Sequence, residues 1–292
     1  MSNSLPEQPP ESISNGYQNA AEVLESADSS ARVSLLNLNE ISGKKLSSTE
    51  LCRQVVSKQR VADHGEVYTN PREVIAMLDL VKSETERIDS RFLEPACGTG
   101  NFLVEILNRK LSVIAMRYAK SQLEYERYAV IAVASIYGID ILADNVAACQ
   151  TRLFDMFNTA YSALFKTQAK EQCRHAVRYL LRCNILHGDA LTLKTVGDAN
   201  KPPRSIVFAE WSAVNGSLLK RRDFVYDDLV RLSTPPPPDD LFSSENINKT
   251  VNHNSNGSLQ QSDQGDYSYE VHPVKDYPLI HFLALGVESR NE

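Results

Sequence analysis

The sequence predicts an α/β protein built on a doubly wound, mostly parallel sheet. Short apolar runs alternate along the chain with longer segments of helical periodicity, which is typical of parallel strands joined by helices. The runs lack the strict alternation of a half-exposed strand, so we expect both of their faces to be covered. A pair of glycines between the first run and the next helical segment adds a turn of the kind found above a strand end.

The predicted elements begin with a helix near Pro71, because proline is favoured in a first helical turn. The apolar face of this helix is formed by Val74, Met77, Leu78 and Val81. The first strand is predicted at RFLEPA, residues 91–96. Helices follow at 101–109 and 122–135, where the apolar residues recur at helical spacing.

The second strand is predicted at YGIDI, where residues 138–141 are its core, and Asp144 is placed to cap the long helix that follows. Another helix at 170–182 leads into the third strand, NILHGDAL, residues 184–191. SIVFAE, residues 205–210, is predicted as the fourth strand of the same sheet.

Composition favours one globular domain with polar extensions in a chain of 292 residues, of which 42% are hydrophobic. The chain has no apolar run of the roughly 18 residues that a membrane span needs and no signal-peptide pattern. Five cysteines without CxxC spacing predict neither a disulfide framework nor a zinc site, so we expect a cytoplasmic protein. A net charge of −6 disfavours autonomous, non-specific binding of nucleic acid.

The domain organisation is predicted from changes in composition. Residues 1–30 form a polar tail that cannot bury enough apolar surface to become ordered. The α/β domain covers 31–232, and a Pro/Asn/Ser-rich linker covers 233–268. The segment 269–292 regains an apolar pattern at DYPLIHFLALG and is expected to add an edge strand to the sheet.

Acidic residues end the first three predicted strands. Glu94 precedes the turn that contains Gly98 and Gly100, so it repels a pyrophosphate and attracts a ligand with an ammonium group. Asp140 can accept hydrogen bonds from a ribose, and Asp189 from an adenine amine. Taken singly, the two aspartates could be helix caps. Their joint placement favours S-adenosylmethionine over a nicotinamide dinucleotide.

The motifs at these strand ends resemble those of a known family. EPACGTGNFL, YGIDI and HGDAL are similar to motifs I, II and III of the Rossmann-like, S-adenosylmethionine-dependent N6-adenine DNA methyltransferases. HGEVYTNPREVIAMLDLV, residues 64–81, resembles motif X, and its position before motif I matches the gamma class found in restriction-modification systems. The resemblance implies that Tyr68 and Thr69 contact the methionine moiety, although they could simply precede a helix.

The same resemblance assigns the remaining cofactor contacts. Glu94, Ala96 and Gly98 would line the amino-acid end of S-adenosylmethionine. Asp140 would bind the ribose, and Asp189 would bind the adenine ring.

The sequence departs from the family where the catalytic motif is expected. The family places Asp/Asn-Pro-Pro-Tyr/Phe after the fourth strand, whereas residues 208–212 read FAEWS. Glu210 could accept a proton of the target amine and Trp211 could stack on a flipped base, as candidate catalytic residues. The alternative is that Trp211 packs under the sheet edge and Glu210 is an ordinary strand-end acid. KRRDF, residues 220–224, is a candidate phosphate contact.

These features predict a site-specific DNA methyltransferase of the adenine N6 type, with a divergent catalytic motif, as the modification subunit of a restriction or phage-defence system. A target-recognition domain is missing from the pattern, so DNA and a specificity or restriction subunit are the expected partners. One alternative is a catalytically silent subunit that binds S-adenosylmethionine. Others are a methyltransferase acting on RNA or protein, and a nicotinamide oxidoreductase.

Overall fold

The computed structural model describes residues 59–60, 62, 66, 68–197, 201–232, 257–261 and 267–286. The predicted tail at 1–30 and most of the predicted linker at 233–268 lie outside these residues. All described residues belong to the unit Arg53–Glu292, so the fold is described for that unit alone.

Three parallel strands form the central layer of this unit. They are β1 (Phe92–Glu94), β2 (Ile136–Asp140) and β3 (Ile185–Asp189). β2 lies between the other two and pairs in parallel with both. A short β4 (Lys194–Thr195) pairs antiparallel with β3 at one edge. The predicted α/β class is therefore confirmed, and the sheet is partly parallel.

Helices precede and connect these strands. They are α1 (Pro71–Asp79), α2 (Lys82–Thr85), α3 (Asn101–Tyr118), α4 (Gln122–Ala134), α5 (Ala143–Phe165) and α6 (Glu171–Asn184). Asn70 caps α1, since its side-chain oxygen accepts a hydrogen bond from the Arg72 amide at 2.9 Å. Ser121 caps α4 in the same way. α3 continues well beyond the predicted end at residue 109 because its later apolar residues remain buried.

Two details of the helix prediction are wrong. α5 begins at Ala143, so Asp144 lies in its first turn, and the N-cap position is taken by Leu142 without a side-chain cap. The amide of Leu142 donates to the Asp140 carboxylate, and the Asp144 carboxylate accepts from the Asn145 amide within the first turn. In α1, Met77 is exposed. The buried residues of α1 are Val74 and Leu78.

The two faces of the parallel layer have different neighbours, because alternate residues of a strand point to opposite faces. On one face α3 approaches β2 so closely that a Cβ added to Gly138 would lie 3.0 Å from Leu103 Cδ1. The apolar residues that pack together on the other face are Tyr137, Ile139, Ile206 and Phe208. Therefore α3 packs on one face of the parallel layer, and the chain around residue 207 packs on the other.

The remaining elements lie after β4. They are β5 (Val207–Val214), β6 (Leu218–Val225), α7 (Tyr226–Leu232), β7 (Gly257–Gln261), β8 (Tyr267–Val271), β9 (Lys275–Asp276) and β10 (Ile280–His281). β5 and β6 form an antiparallel hairpin, and β9 and β10 both pair antiparallel with β6. These strands make a second sheet, separate from the parallel one.

The prediction that residues 205–210 form a fourth parallel strand is wrong, because β5 belongs to this second sheet. The cause is a hairpin turn that the apolar pattern did not reveal. Asn215 and Gly216 have φ angles of 27° and 70°, and an Asn-Gly pair tolerates such positive values between antiparallel strands. The C-terminal apolar segment does add strands, but it adds them to the second sheet through β9 and β10.

Part of the segment predicted as a polar linker also forms strands. β7 and β8 pair antiparallel, with Gly257 opposite Val271. The tyrosines and valine in YSYEV have high strand propensity, which outweighs the polar composition of the preceding residues. In the part of the chain that the structure describes, no helix has the length and apolar character needed to cross a membrane.

Candidate functional site

A cleft of about 550 Å³ lies at the carboxyl edge of the parallel strands. All of the predicted cofactor-binding residues except Gly100 line it. They are Tyr68, Thr69, Glu94, Ala96, Gly98, Asp140 and Asp189. The structure therefore brings together residues from the segment before α1 and from the ends of all three parallel strands.

The glycine turn between β1 and α3 forms one wall of the cleft. Gly98 has a φ of 52°, and a Cβ there would lie 3.3 Å from the Tyr68 ring. Gly100 has a φ of 86° and is the N-cap of α3. A Cβ on Gly100 would meet Cys149 Sγ at 2.6 Å, so Gly100 allows α5 to approach the turn. Its part in the site is to shape the turn, because it does not line the cleft.

Glu94 brings to the cleft a carboxylate that no described cation neutralises. The side chain is half-buried, and burial raises its pKa, which a hydrogen bond from the backbone amide of Ala96 partly offsets. Glu94 forms no ion pair with any residue that the structure describes. A partly desolvated carboxylate of this kind favours a positively charged ligand.

Asp140 is buried and connects β2 to the glycine turn. Its Oδ2 accepts a hydrogen bond from the Gly98 amide at 2.8 Å. Its Oδ1 accepts from the Leu142 amide at 2.9 Å and from Asn145 Nδ2 at 3.2 Å. A carboxylate has about four acceptor positions, so Asp140 keeps capacity for a donor from a ligand in the cleft.

Asp189 stabilises the turn after β3. Its two oxygens accept hydrogen bonds from the Leu191 amide and from Thr192 Oγ1, both at 2.9 Å. These bonds hold the pKa of Asp189 below its usual range. The aspartate therefore has a local turn-capping role, and its carboxylate also reaches the cleft surface.

A hydrogen-bond network around Glu66 fixes the segment that carries Tyr68. Glu66 Oε1 accepts from the Tyr68 hydroxyl and from Asn145 Nδ2, each at 2.8 Å. Arg60 forms a two-pronged ion pair with Glu66 and also bonds Asp144. Burial opposes ionisation of Glu66, but the bonds from Arg60, Asn145 and Tyr68 hold its pKa below the usual value.

Sequence reasoning did not identify Glu66, Asn145 or Arg60. Two of their contacts, Arg60 with Asp144 and Asn145 with Glu66, join residues about 80 positions apart, and no local pattern reports such pairs. The one available signal was the position of Asn145 in the first turn after Asp140, where a polar side chain can reach back to the strand end.

The cleft is strongly acidic. Its lining includes four carboxylates, those of Glu66, Glu94, Asp140 and Asp189. No lysine, arginine or histidine is among the described residues that line it. Arg60 neutralises Glu66 from behind, which leaves the other three carboxylates without a cation among the described side chains. Such a site disfavours phosphates and favours a cationic ligand.

The structure does not bring Glu210 and Trp211 to this cleft. Glu210 forms ion pairs with Arg91, which immediately precedes β1, and with Arg222 at 3.1 Å. Trp211 is buried, and its indole N–H donates to Asn184 Oδ1 at 3.1 Å. Trp211 and Arg91 line a different cleft of about 580 Å³ at the amino edge of the strands. These contacts favour the alternative in which both residues stabilise the fold.

The basic residues of KRRDF are likewise paired with acids. The pairs are Lys220 with Asp276, Arg221 with Asp223 and Arg222 with Glu210. Their charges hold β5, β6 and β9 together, so this segment has little free positive charge for phosphates.

Comparisons with known proteins add no assignment. No family model, no curated protein and no solved structure matches this chain. The cleft and the motifs that line it are therefore the basis for assigning a function.

Proposed function

We propose that the cleft binds S-adenosylmethionine. The observation that carries this proposal is the set of three carboxylates without a cationic partner around a glycine turn, with no basic side chain among the described lining residues. S-adenosylmethionine carries a sulfonium and an ammonium group, so its charge complements this lining. A dinucleotide carries a pyrophosphate, which the same carboxylates repel.

Each residue has a role that its contacts can support. Glu94 provides the unpaired carboxylate for the ammonium group, and Tyr68 and Thr69 cover the methionine end. Asp140 holds the glycine turn through Gly98 and offers its one remaining acceptor position to the ribose. Asp189 offers a carboxylate oxygen to the adenine amine.

The reaction that we propose is methylation of the N6 amine of adenine in DNA, as the resemblance of the three strand-end motifs implies. In this view β1, β2 and β3 correspond to one half of a doubly wound, Rossmann-like sheet. The bound cofactor would supply an electrophilic methyl group for direct displacement by the amine. This chain would bind and orient that group and exclude water, and positioning of this kind provides much of the rate in a two-substrate transfer.

The amine also needs hydrogen-bond acceptors, and Glu210 is engaged with two arginines away from the cleft. We therefore expect a partner polypeptide to provide amine-activating groups and target recognition. The partner would be a specificity or restriction subunit of a modification or phage-defence system. The placement of Glu210 and Trp211 also favours a second candidate function, a catalytically silent subunit that binds the cofactor.

Calorimetry on the full chain tests the assignment of the cofactor. We expect S-adenosylhomocysteine to bind with a dissociation constant in the micromolar range and NADH to show no binding. Binding of NADH with no binding of S-adenosylhomocysteine would overturn the proposal.

Transfer of labelled methyl groups distinguishes the candidate functions. The assay offers DNA, RNA and cell protein separately, with and without the products of neighbouring genes. Label in DNA that depends on a neighbouring product supports the modification subunit. Cofactor binding without transfer to any acceptor, with all partners present, supports the silent subunit. Label in RNA or protein alone contradicts the DNA assignment.

A further inference from the structure

One face of α5 contacts both walls of the cleft. Asn145, Cys149 and Arg152 are spaced by four and three residues, so they share a face of the helix. Asn145 bonds Glu66 and Asp140 near the segment before α1. Cys149 packs against Gly100 in the glycine turn.

Arg152 completes this face at the far side of the turn. Its Nη1 donates to the Thr99 carbonyl at 2.7 Å, to Thr99 Oγ1 at 3.0 Å and to Asn101 Oδ1 at 2.8 Å. Asn101 then donates from Nδ2 to the Thr69 carbonyl at 3.1 Å. A continuous chain of hydrogen bonds thus runs from α5 through the glycine turn to the segment that carries Tyr68 and Thr69.

Arg152 does not act through ordinary charge pairing. All of its hydrogen bonds go to neutral acceptors, and it forms no ion pair with a described residue. A guanidinium group presents donors in a rigid planar arrangement, so it can fix the positions of several acceptors at once. The acceptors that it fixes belong to the turn and, through Asn101, to the opposite wall.

We propose that Arg152 is a positioning residue for the amino-acid end of the cofactor. It sets the separation between the glycine turn and Thr69, the two walls between which that end would lie. The adenosine end depends instead on Asp140 and Asp189, which Arg152 does not contact. This inference rests on the proposed binding of S-adenosylmethionine.

The test compares two ligands in the full-length protein by calorimetry. S-adenosylhomocysteine has both ends of the cofactor, whereas methylthioadenosine lacks the amino-acid end. In Arg152→Met we expect about tenfold weaker binding of S-adenosylhomocysteine and less than a twofold change for methylthioadenosine. Arg152→Lys should recover part of the loss, since a lysine can still donate to the Thr99 carbonyl. Arg182→Met, an exposed arginine in the last turn of α6, is the matched control and should leave both ligands unchanged.

If Arg152→Met weakens the binding of both ligands equally, the positioning role is overturned and a general loss of stability is indicated. Unchanged binding of both ligands would overturn it as well. The wild-type protein provides the separate check on the proposed function. If it binds neither ligand, the assignment of the cofactor fails, and the role of Arg152 fails with it.

Discussion

Glu94 lies at the carboxyl edge of the parallel sheet, Glu210 lies on β5 near the amino edge, and the two have opposite electrostatic surroundings. Glu94 ends β1 at the carboxyl edge, where it has a backbone hydrogen bond and no ion pair among the described residues. Glu210 lies next to the amino edge and is neutralised by Arg91 and Arg222. Both are strand glutamates in chemically similar short sequences, FLEPA and FAEWS.

The difference indicates what each carboxylate does for the protein. A paired carboxylate contributes to folding through its partners. A partly buried carboxylate without a cation costs stability, so a ligand is the better explanation for its presence. The amino edge is therefore the structural edge, and the carboxyl edge is the candidate binding edge. Variants that affect folding and binding in different proportions can test this contrast.

The largest expected effect is loss of stability in Trp211→Ala. Trp211 is buried against Tyr179, with ring centroids 6.1 Å apart, and its indole N–H is bonded to Asn184. Removing a large core aromatic costs about 3–5 kcal/mol, which urea denaturation can measure. Cofactor binding should be retained in the fraction that remains folded. Unchanged stability combined with lost methyl transfer would instead support a base-stacking role for Trp211.

Glu94→Gln should change binding rather than folding. A hydrogen bond to a charged group contributes about 1.5–3 kcal/mol, so we expect roughly 30-fold weaker binding of S-adenosylhomocysteine by calorimetry. Burial raises the pKa of Glu94, which means that its charge disfavours the folded state at neutral pH. The melting temperature of the ligand-free variant should therefore equal or exceed that of the wild type.

Glu105→Gln is a suitable control for this variant. Glu105 lies on α3, where it pairs with Arg109 outside the cleft, so its replacement should leave binding unchanged. If Glu94→Gln binds as tightly as the wild type, an ammonium contact at Glu94 is excluded.

Glu94 and Glu210 also mark the limits of what the sequence could predict. The turn around Glu94 is local, since a strand, two glycines and a helix occur within a few residues, and the prediction placed the strand, the glycines and the start of the helix correctly. The position of Glu210 depends on the pairing of β5 with β6 across the Asn215–Gly216 turn, and both strands belong to the second sheet. The apolar pattern of β5 suits either sheet, so composition alone could not choose between them.

The acids at 140 and 189 illustrate the same limit within the cleft. Their placement at successive strand ends followed from the predicted sheet. The hydrogen bonds that Asp140 accepts from Gly98 and Asn145 did not follow, because they depend on how α5 packs against the glycine turn. The partners of Asp189 are instead its near neighbours Leu191 and Thr192. Contacts between distant segments require the tertiary structure.

Lys110 is a basic residue buried at the amino edge of the parallel strands. Its hydrogen bonds go to neutral acceptors. Its Nζ donates to the carbonyl of Ile88 at 3.1 Å and to the carbonyl of Ser90 and Ser135 Oγ, both at 2.5 Å. Burial lowers the pKa of Lys110 to about 7. Between this value and the usual lysine value the unfolded chain binds more protons, so the free energy of unfolding should rise with pH.

The expected slope is at most about 1.4 kcal/mol per pH unit, and urea denaturation at pH 7.5 and 9 can measure it. Lys110→Met should lack this rise, whatever its absolute stability, because it has no proton to release. Parallel pH profiles for the two proteins would show that Lys110 stays protonated in the folded state across this range.

The smallest expected effect is that of Glu210→Gln, which completes the comparison with Glu94. Glu210 itself is only 13% exposed, but its arginine partners are 55% and 41% exposed and are therefore screened by water. Since a glutamine can still accept hydrogen bonds from both arginines, we expect a loss of only about 0.5–1 kcal/mol in the free energy of unfolding. This loss should shrink in high salt, and binding of S-adenosylhomocysteine should be unchanged. A loss of binding without a loss of stability would place Glu210 in the site after all. The opposite signs expected for Glu94→Gln and Glu210→Gln are the strongest test of the contrast, because a general folding defect cannot produce both.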